Sequence, residues 1–323
     1  MNGQSKARGA GLDDLTIDNL TPHVIRMSTG IDNIRINYLI TKLIQYTHDY
    51  VREVQLQTEE WENVWQYLTR VGATCTPERQ EFILLSDILG ISALVDAINS
   101  NQTPEATETS ILGPFHNDAA HLLENGQSIT SNHGAGEPML IRGKIMDTAA
   151  NPVEHALVDI WETDGNGFYD MQNPEYAGPD CRGKFYTDRN GDFFLTGVRP
   201  VDYPIPSDGP VGDLLALLNR HCFRPAHVHF MVNHPSYEKL TTAVYSREST
   251  YITSDSVFGA KTSLLVDFIW TEDPSLAKQY NIKAISKEID GEMREGFWLL
   301  EHTFILAPRR SREGAETTQP AQA

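Results

Sequence analysis

Arg224-Pro225-Ala226-His227-Val228-His229-Phe230 sets two histidines two residues apart in a run of β-forming residues. In a strand, side chains at i and i+2 point to one face, so both imidazoles would project together with Cα atoms about 7 Å apart. Such a pair can supply two ligands to one metal ion. It can equally be two hydrogen-bonded core histidines or two surface ones, and the spacing leaves these readings open. The run belongs to a series of short β-patterned stretches separated by Gly, Pro, Asn and Asp: 140–146, 156–161, 184–187, 192–195, 226–232, 241–245, 264–269 and 297–306. That density predicts a mainly antiparallel β-sandwich. Two long loops interrupt it, 162–183 and 199–224. Loops beyond about 12–15 residues are usually functional.

Upstream the period changes. From 32 to 57, Ile36, Leu39, Ile40, Leu43, Ile44 and Tyr46 form an apolar stripe at spacings of three and four, which predicts a helix. Thr58 can cap a second helix, with Trp61, Val64, Trp65 and Leu68 on one face. Thr76-Pro77-Glu78 reads as a third helix start, followed by Phe82, Ile83, Leu85, Ile88 and Leu89, with a bend at Gly90. Asn101-Gln102-Thr103-Pro104 ends the helical pattern, and Gly113-Pro114 marks a turn. The expectation is an α+β chain: a disordered 1–14, a helical linker and dimerisation unit over 15–103, a sandwich over 104–308, and a disordered tail over 309–323.

Composition narrows the function classes. A chain of 323 residues with 40% hydrophobic residues can bury a sizeable core. Its net charge of −18 repels nucleic acid and anionic membranes. No stretch approaches the ~18 consecutive apolar residues of a membrane span. The polar start Met1-Asn2-Gly3-Gln4-Ser5-Lys6 lacks the apolar segment of a secretion signal. Cys75, Cys181 and Cys222, an odd count, argue against a disulfide framework. A reduced, cytoplasmic protein is expected.

The long loops carry Tyr169, in Gly167-Phe168-Tyr169-Asp170, and Tyr203, in Asp202-Tyr203-Pro204-Ile205-Pro206. A free phenol has a pKa of about 10 and ligates poorly while protonated. A hard trivalent cation such as ferric iron favours the phenolate and reverses that preference. Zinc would not need tyrosine, preferring Cys, His and carboxylate. Taken singly, each tyrosine is as well explained as a packed aromatic with a bonded hydroxyl, and the chain has 12 of them. Asp164-Gly165-Asn166-Gly167 lacks the rest of a calcium-loop pattern and reads as a turn.

The order Tyr169, Tyr203, His227, His229 resembles the ligand set of the intradiol ring-cleavage dioxygenases. Val158-Asp159-Ile160-Trp161 before the first tyrosine, Gly209-Pro210 after the second, and Leu218-Asn219-Arg220-His221 before the histidine run match that family too. The similarity spans roughly 15–308. Tyr203-Pro204-Ile205-Pro206, Ile111-Leu112-Gly113-Pro114-Phe115 and Ser254-Asp255-Ser256-Val257-Phe258-Gly259-Ala260-Lys261 resemble the hydroxyquinol 1,2-dioxygenase branch. One departure stands out: Leu240-Thr241-Thr242 is followed by Ala243, where catechol enzymes of the family usually carry Gln.

The resemblance implies Fe3+ as cofactor, held by Tyr169, Tyr203, His227 and His229. It implies that Tyr203 is displaced by a catecholic dianion and helps take a substrate proton. Oxygen then enters and the ring opens between the two hydroxylated carbons. Arg224 is implied as a catalytic cation, against the alternative of a structural ion pair. Leu84, Asp87, Ile111, Gly113, Pro114, Phe115, Ile205, Pro206 and Val257 are implied as the slot for a flat ring, with Asp87 meeting a third hydroxyl. Each is also an ordinary core, turn or helix-surface residue. His221 and His234 lack the same-face spacing and are left out. The implied partners are a small aromatic diol or triol, O2, and a second copy joined through the N-terminal helices, with a lipid in an apolar tunnel in some members. Three other readings remain in contention: the same chemistry on catechol or a substituted catechol, a zinc hydrolase using His227 and His229 with a carboxylate, and a binding module with a helical arm.

Overall fold

The computed structural model describes residues 14–28, 30–100, 103–131, 136–172 and 178–309. The ends expected to be disordered, 1–14 and 309–323, lie outside the described residues apart from Asp14 and Arg309. The chain divides into two compact units, Met1–Thr69 and Arg70–Ala323. In the first, α1 (Leu20–Met27) packs on α2 (Ile34–Glu53). The Asn33 side chain caps α2, accepting a hydrogen bond from the Ile36 amide at 3.0 Å. α2 buries no residue along its length: Leu39 and Leu43 of its apolar stripe are 47% and 62% exposed. α3 runs Thr58–Thr74, so Thr58, expected as its cap, is instead its first helical residue. The Glu60 side chain accepts from the Gln57 amide at 2.9 Å, holding the entry to α3.

The second unit takes the end of α3 from Arg70 and continues with α4 (Glu81–Ile88) and α5 (Ile91–Asn99). The bend between them is Gly90, whose φ of +73° is left-handed and favours glycine. The helix start expected at Thr76-Pro77-Glu78 is a turn instead. The Thr76 hydroxyl accepts from the Glu78 and Arg79 amides at 3.2 and 3.0 Å, so the local side-chain bond competes with helix formation. α4 starts at Glu81, whose fully buried carboxylate accepts from Arg79 Nε at 2.8 Å and from the Val211 amide at 3.1 Å.

The strands follow as β1 (Pro138–Asp147), β2 (Leu157–Glu162), β3 (Arg182–Tyr186), β4 (Asp192–Val198) and β5 (Tyr203–Pro204). After α6 (Pro210–Leu217) come β6 (Phe223–Arg224), β7 (His227–Asn233), β8 (Leu240–Ser246), β9 (Leu265–Val266) and β10 (Ile269–Thr271). Then come α7 (Pro274–Gln279), β11 (Ile285–Ile289) and β12 (Glu292–Leu306). One sheet has the order β10-β12-β1-β4 with β11 on β12, the other β3-β2-β7-β8-β9, and β5 pairs with β6 alone. One core takes side chains from both large sheets, among them Met139, Ile141, Phe193, Leu300 and Phe304 from the first and Val158, Ile160, Phe185, Val228 and Phe230 from the second. Each such side chain stabilises by about 1.5–3 kcal/mol when fully buried.

The class is α+β. The strand pairings among the described residues are antiparallel but for two, β1 with β12 and β8 with β9. β1 and β12 lie far apart in sequence, so no tight turn obliges them to run in opposite directions. The single strand expected over 264–269 is broken: Leu265–Val266 pairs with β8, while Ile269–Thr271 pairs with β12 in the other sheet. Both long loops carry elements the sequence did not announce, including β5, β6 and α6. Among the described residues no helix is long and apolar enough to cross a membrane, and the three cysteines are free.

Candidate metal centre

β7 is buried on both faces, and alternation divides its side chains cleanly. Val228, Phe230 and Val232 enter the shared core, while His227, His229 and Met231 face the other way. The two imidazoles meet there, Nε2 to Nε2 at 3.0 Å, with both residues at most 2% exposed. Tyr203 arrives by the short β5–β6 pair, in register with Arg224. Tyr169 arrives by the turn after β2, where Asp164 Oδ1 accepts from the Asn166 and Phe168 amides, both at 2.9 Å. The turn expected at Asp164-Gly165-Asn166-Gly167 is therefore present. Gly167 has a φ of +87°, and a Cβ there would lie 2.9 Å from Tyr203 Cβ. A side chain at 167 would push the two tyrosines apart.

The four groups expected together are brought together. Tyr169 Oη lies 3.4 Å from Tyr203 Oη and 3.4 Å from His227 Nε2. Metal–ligand bonds of about 2.0–2.2 Å place neighbouring donors at such separations. His227 Nδ1 lies 2.7 Å from the Pro225 carbonyl and donates to it, leaving Nε2 with its lone pair facing the centre. Burial, then the Arg224 charge, lowers the His227 pKa to about 3. His229 is likewise held well below the usual range, by burial first and then by His227 and Arg224. Both imidazoles are neutral near pH 7. Burial and the neighbouring Tyr203 push the Tyr169 phenol well above its ordinary value, so only a bound cation would bring it to phenolate. Neutral imidazole nitrogens and phenol oxygens converging in a buried site suit a hard cation. Among the described residues no group of three or more His, Cys, Asp or Glu could hold a metal ion, which deprives the zinc-hydrolase reading of its carboxylate.

Arg224 stands at the edge of this set. Its Nη1 lies 3.3 Å from Tyr203 Oη and 3.2 Å from His227 Nε2. Nε pairs with Asp255 at 3.2 Å, and Nη2 donates to Tyr245 Oη at 3.3 Å. Burial acts to lower the Arg224 pKa, but Asp255, Tyr203 and Tyr245 outweigh it and hold the group raised. Asp255 also accepts from the amides of Val257, Gly259 and Ala260, and Ser110 Oγ lies 2.8 Å from Tyr245 Oη. Sequence reasoning gave Asp255, Tyr245 and Ser110 no role. Nothing in their local spacing announces a network drawn from three distant segments.

The expected slot residues cluster around the same place. Leu84, Ile111, Ile205 and Val257 form one buried group. Phe115 stacks on Tyr169 at 4.6 Å between centroids and 21° between planes. Gly113, at φ +71°, faces the His229 ring, which a Cβ there would approach to 3.9 Å. Pro114 and Pro206 are half-buried. Asp87 on α4 is 3% exposed, and burial raises its pKa, partly offset by Ser92 and Arg224. The carboxyl is thus within electrostatic reach of Arg224. Ala243 stands across from His229 on β8, fully buried and packed with Tyr245 and Leu264. His221 pairs with Ser254 at 2.9 Å, outside the cluster.

Comparison with known proteins agrees with this geometry. A family model described as "Dioxygenase" matches residues 111–285, and one described as "Catechol dioxygenase N terminus" matches 33–107. The intradiol ring-cleavage dioxygenase hqdA of Aspergillus niger is 46% identical over 314 residues, 97% of this chain and 94% of that protein. The hydroxyquinol 1,2-dioxygenase of a Rhizobium species is 40% identical over 286 residues, 88% of this chain and 93% of that one. The solved hydroxyquinol 1,2-dioxygenase of Pseudomonas putida superposes with a TM-score of 0.78 at 35% identity, covering 91% of this chain and 99% of that one. With two tyrosines, two histidines and an arginine gathered as described, and with relatives this similar over nearly its whole length, the chain belongs to the intradiol ring-cleavage dioxygenases and is an enzyme of that class.

Proposed function

We propose that this enzyme cleaves hydroxyquinol (1,2,4-trihydroxybenzene) with O2 between the two adjacent hydroxylated carbons, giving a maleylacetate-type product, with Fe3+ held by Tyr169, Tyr203, His227 and His229. The observation that carries the reading is the convergence of four donor atoms at 3.0–3.4 Å beside Arg224, with the buried Asp87 in reach of that arginine. The relatives named for hydroxyquinol support the choice of substrate. Ferric iron, when bound, supplies a Lewis acid and a template for the two adjacent oxygens of the ring. The neutral imidazoles leave their lone pairs free for it. Tyr203 Oη, as phenolate, is placed to take a proton from a substrate hydroxyl, and Arg224 Nη1 at 3.3 Å steadies the charge there. The Arg224 charge, fixed by Asp255, stabilises negative charge developing on the ring. Leu84, Ile111, Ile205, Val257 and Phe115 exclude water around a flat substrate, and Gly113, Pro114 and Pro206 shape the slot. Asp87 accepts a hydrogen bond from the third hydroxyl.

The two sheets with their shared core are read as a β-sandwich catalytic domain. The exposed stripe of α2 is read as the seam of a homodimer. An apolar groove of about 430 Å³ lined by Ile17, Leu20, Val51, Leu56 and Trp61 would take a lipid chain. Three free cysteines fit a reducing, cytoplasmic setting. The test is visible absorption and turnover together. The iron-loaded protein is expected to show a broad phenolate-to-iron charge-transfer band and a higher kcat/KM for hydroxyquinol than for catechol. Protein that stays colourless and inactive after iron loading would sink the ligand set. Equal or better turnover of catechol would sink the substrate.

A further inference from the structure

The two histidines of the centre are held in different ways. His227 has a hydrogen-bonded far nitrogen, with Nδ1 donating to the Pro225 carbonyl at 2.7 Å. His229 Nδ1 is buried and finds no hydrogen-bond partner among the described residues. Metal-ligating histidines almost always donate that second N–H, which fixes the ring plane. Here an aromatic face takes its place. Trp161 is the cross-strand partner of His229 in the β2–β7 register, and its indole lies flat against the imidazole, 4.6 Å between centroids and 5° between planes. Across β7's other edge the residue in register with His229 is Ala243, whose side chain offers neither ring nor polar atom. The indole N–H finds no hydrogen-bond partner among the described residues, so neighbouring groups hold the ring by contact. His116 meets it edge-on at 4.8 Å and 68°, His116 Nε2 lies 3.2 Å from Asp159 Oδ2, and Lys184 pairs with the same carboxylate at 3.7 Å.

We propose that Trp161 is the positioning residue for His229, setting by stacking the ring orientation that a hydrogen bond sets for His227, with His116 and Asp159 as its brace. The proposal rests on His229 being a metal ligand as read above. It predicts that losing the indole loosens the metal rather than only the fold. Losing an outer partner of a metal-bound histidine costs about 10- to 100-fold in affinity or activity. Trp161→Leu is expected to release iron to a chelator on the order of 10-fold faster than the unmodified enzyme, and to shift the phenolate-to-iron band. Trp161→Phe, which keeps a smaller face, falls between. Phe193→Leu, a core change on the other sheet, controls for lost stability. Equal release from Trp161→Leu and the unmodified protein, or equal acceleration in Phe193→Leu at a matched melting temperature, overturns the proposal. A second arm needs no iron. In metal-free protein labelled at histidine nitrogen, the His229 ring signals are expected to be sharp with Trp161 and broadened in Trp161→Leu, while those of His227 stay unchanged. Unaltered His229 signals overturn the stacking role even where the iron reading stands. A metal-free result as expected, with no iron uptake by the unmodified enzyme, faults the ligand set alone.

Discussion

Asp87 and Asp255 are both buried carboxyls within reach of Arg224, yet their environments push them in opposite directions. Burial acts to raise Asp255, but the Arg224 contact outweighs it and holds the pKa lowered. For Asp87 burial dominates, the Ser92 hydroxyl and Arg224 offset it only in part, and the pKa stays raised. A carboxyl with a raised folded pKa favours the fold below its unfolded pKa, and that advantage is lost as pH rises through the folded value. Asp87→Asn is therefore expected to gain stability relative to the unmodified enzyme as pH rises from about 4 toward 7. Urea unfolding at several pH values checks this, and a difference independent of pH would count against a strained Asp87. The same strain is functional if the carboxyl receives the third hydroxyl of the substrate. A hydrogen bond to a charged group contributes about 1.5–3 kcal/mol. Asp87→Ala should thus cut the preference for hydroxyquinol over catechol by roughly 10- to 150-fold in the ratio of kcat/KM. An unchanged ratio would remove Asp87 from recognition. Asp255→Ala leaves the buried Arg224 charge without its carboxylate, which typically costs about 3–5 kcal/mol. Its unfolding midpoint and kcat should fall together.

Among the elements, α4 would matter most to specificity under the proposed function, because it carries both Leu84 and Asp87. It is anchored at its first residue, where Glu81 accepts from the Val211 amide at the start of α6. Glu81→Ala orphans that buried N–H, at a cost of about 1–3 kcal/mol. Because α4 would shift against the slot, KM for the aromatic substrate should rise more than kcat falls, as steady-state kinetics would reveal. A pure stability loss with an unaltered KM would separate the anchor from the site. β7 shows the stricter constraint. Its alternation sends Val228 and Phe230 to the core and His227 and His229 to the cluster with Tyr169 and Tyr203, so a slip of one residue would exchange the two sets.

At the level of the molecule, α2 leaves Ile34 87%, Leu43 62% and Tyr46 66% exposed. A helix with that much uncovered apolar surface suits an interface. Sedimentation of the unmodified protein at micromolar concentration is expected to give a dimer, and Leu43→Glu with Tyr46→Glu a monomer that keeps its visible band. A monomeric unmodified protein would refute the seam. Under the proposed function, metal removal should act on the whole fold as well. A ligand that binds only the native state stabilises by RT ln(1 + [L]/Kd), so chelation should lower the melting temperature as the colour fades. Calorimetry beside absorbance follows both, and a melting temperature indifferent to iron would mean the site contributes nothing to stability.

The sequence by itself determined the class of each region and the chemistry of the donors. Helical periodicity before residue 100, strand alternation after 139 and two histidines at strand spacing are local patterns, and the period of a local pattern fixes which side chains share a face. His227 and His229 could be paired for that reason, whereas Tyr169, Tyr203 and Arg224 were legible only through the resemblance their neighbouring residues carry, each tyrosine alone being one of 12. What only the tertiary structure decided is what meets across distance. The apolar run 264–269 reads as one strand, yet it divides between two sheets because each half finds a different partner. Thr76-Pro77-Glu78 has the residues of a helix start, but the Thr76 hydroxyl closes a turn there and Glu81, tied to Val211, sets the start. The support of Arg224 by Asp255 and Tyr245, and the indole of Trp161 against His229, join residues tens of positions apart. Such contacts depend on strand register and loop closure, which long-range packing sets and no local period encodes.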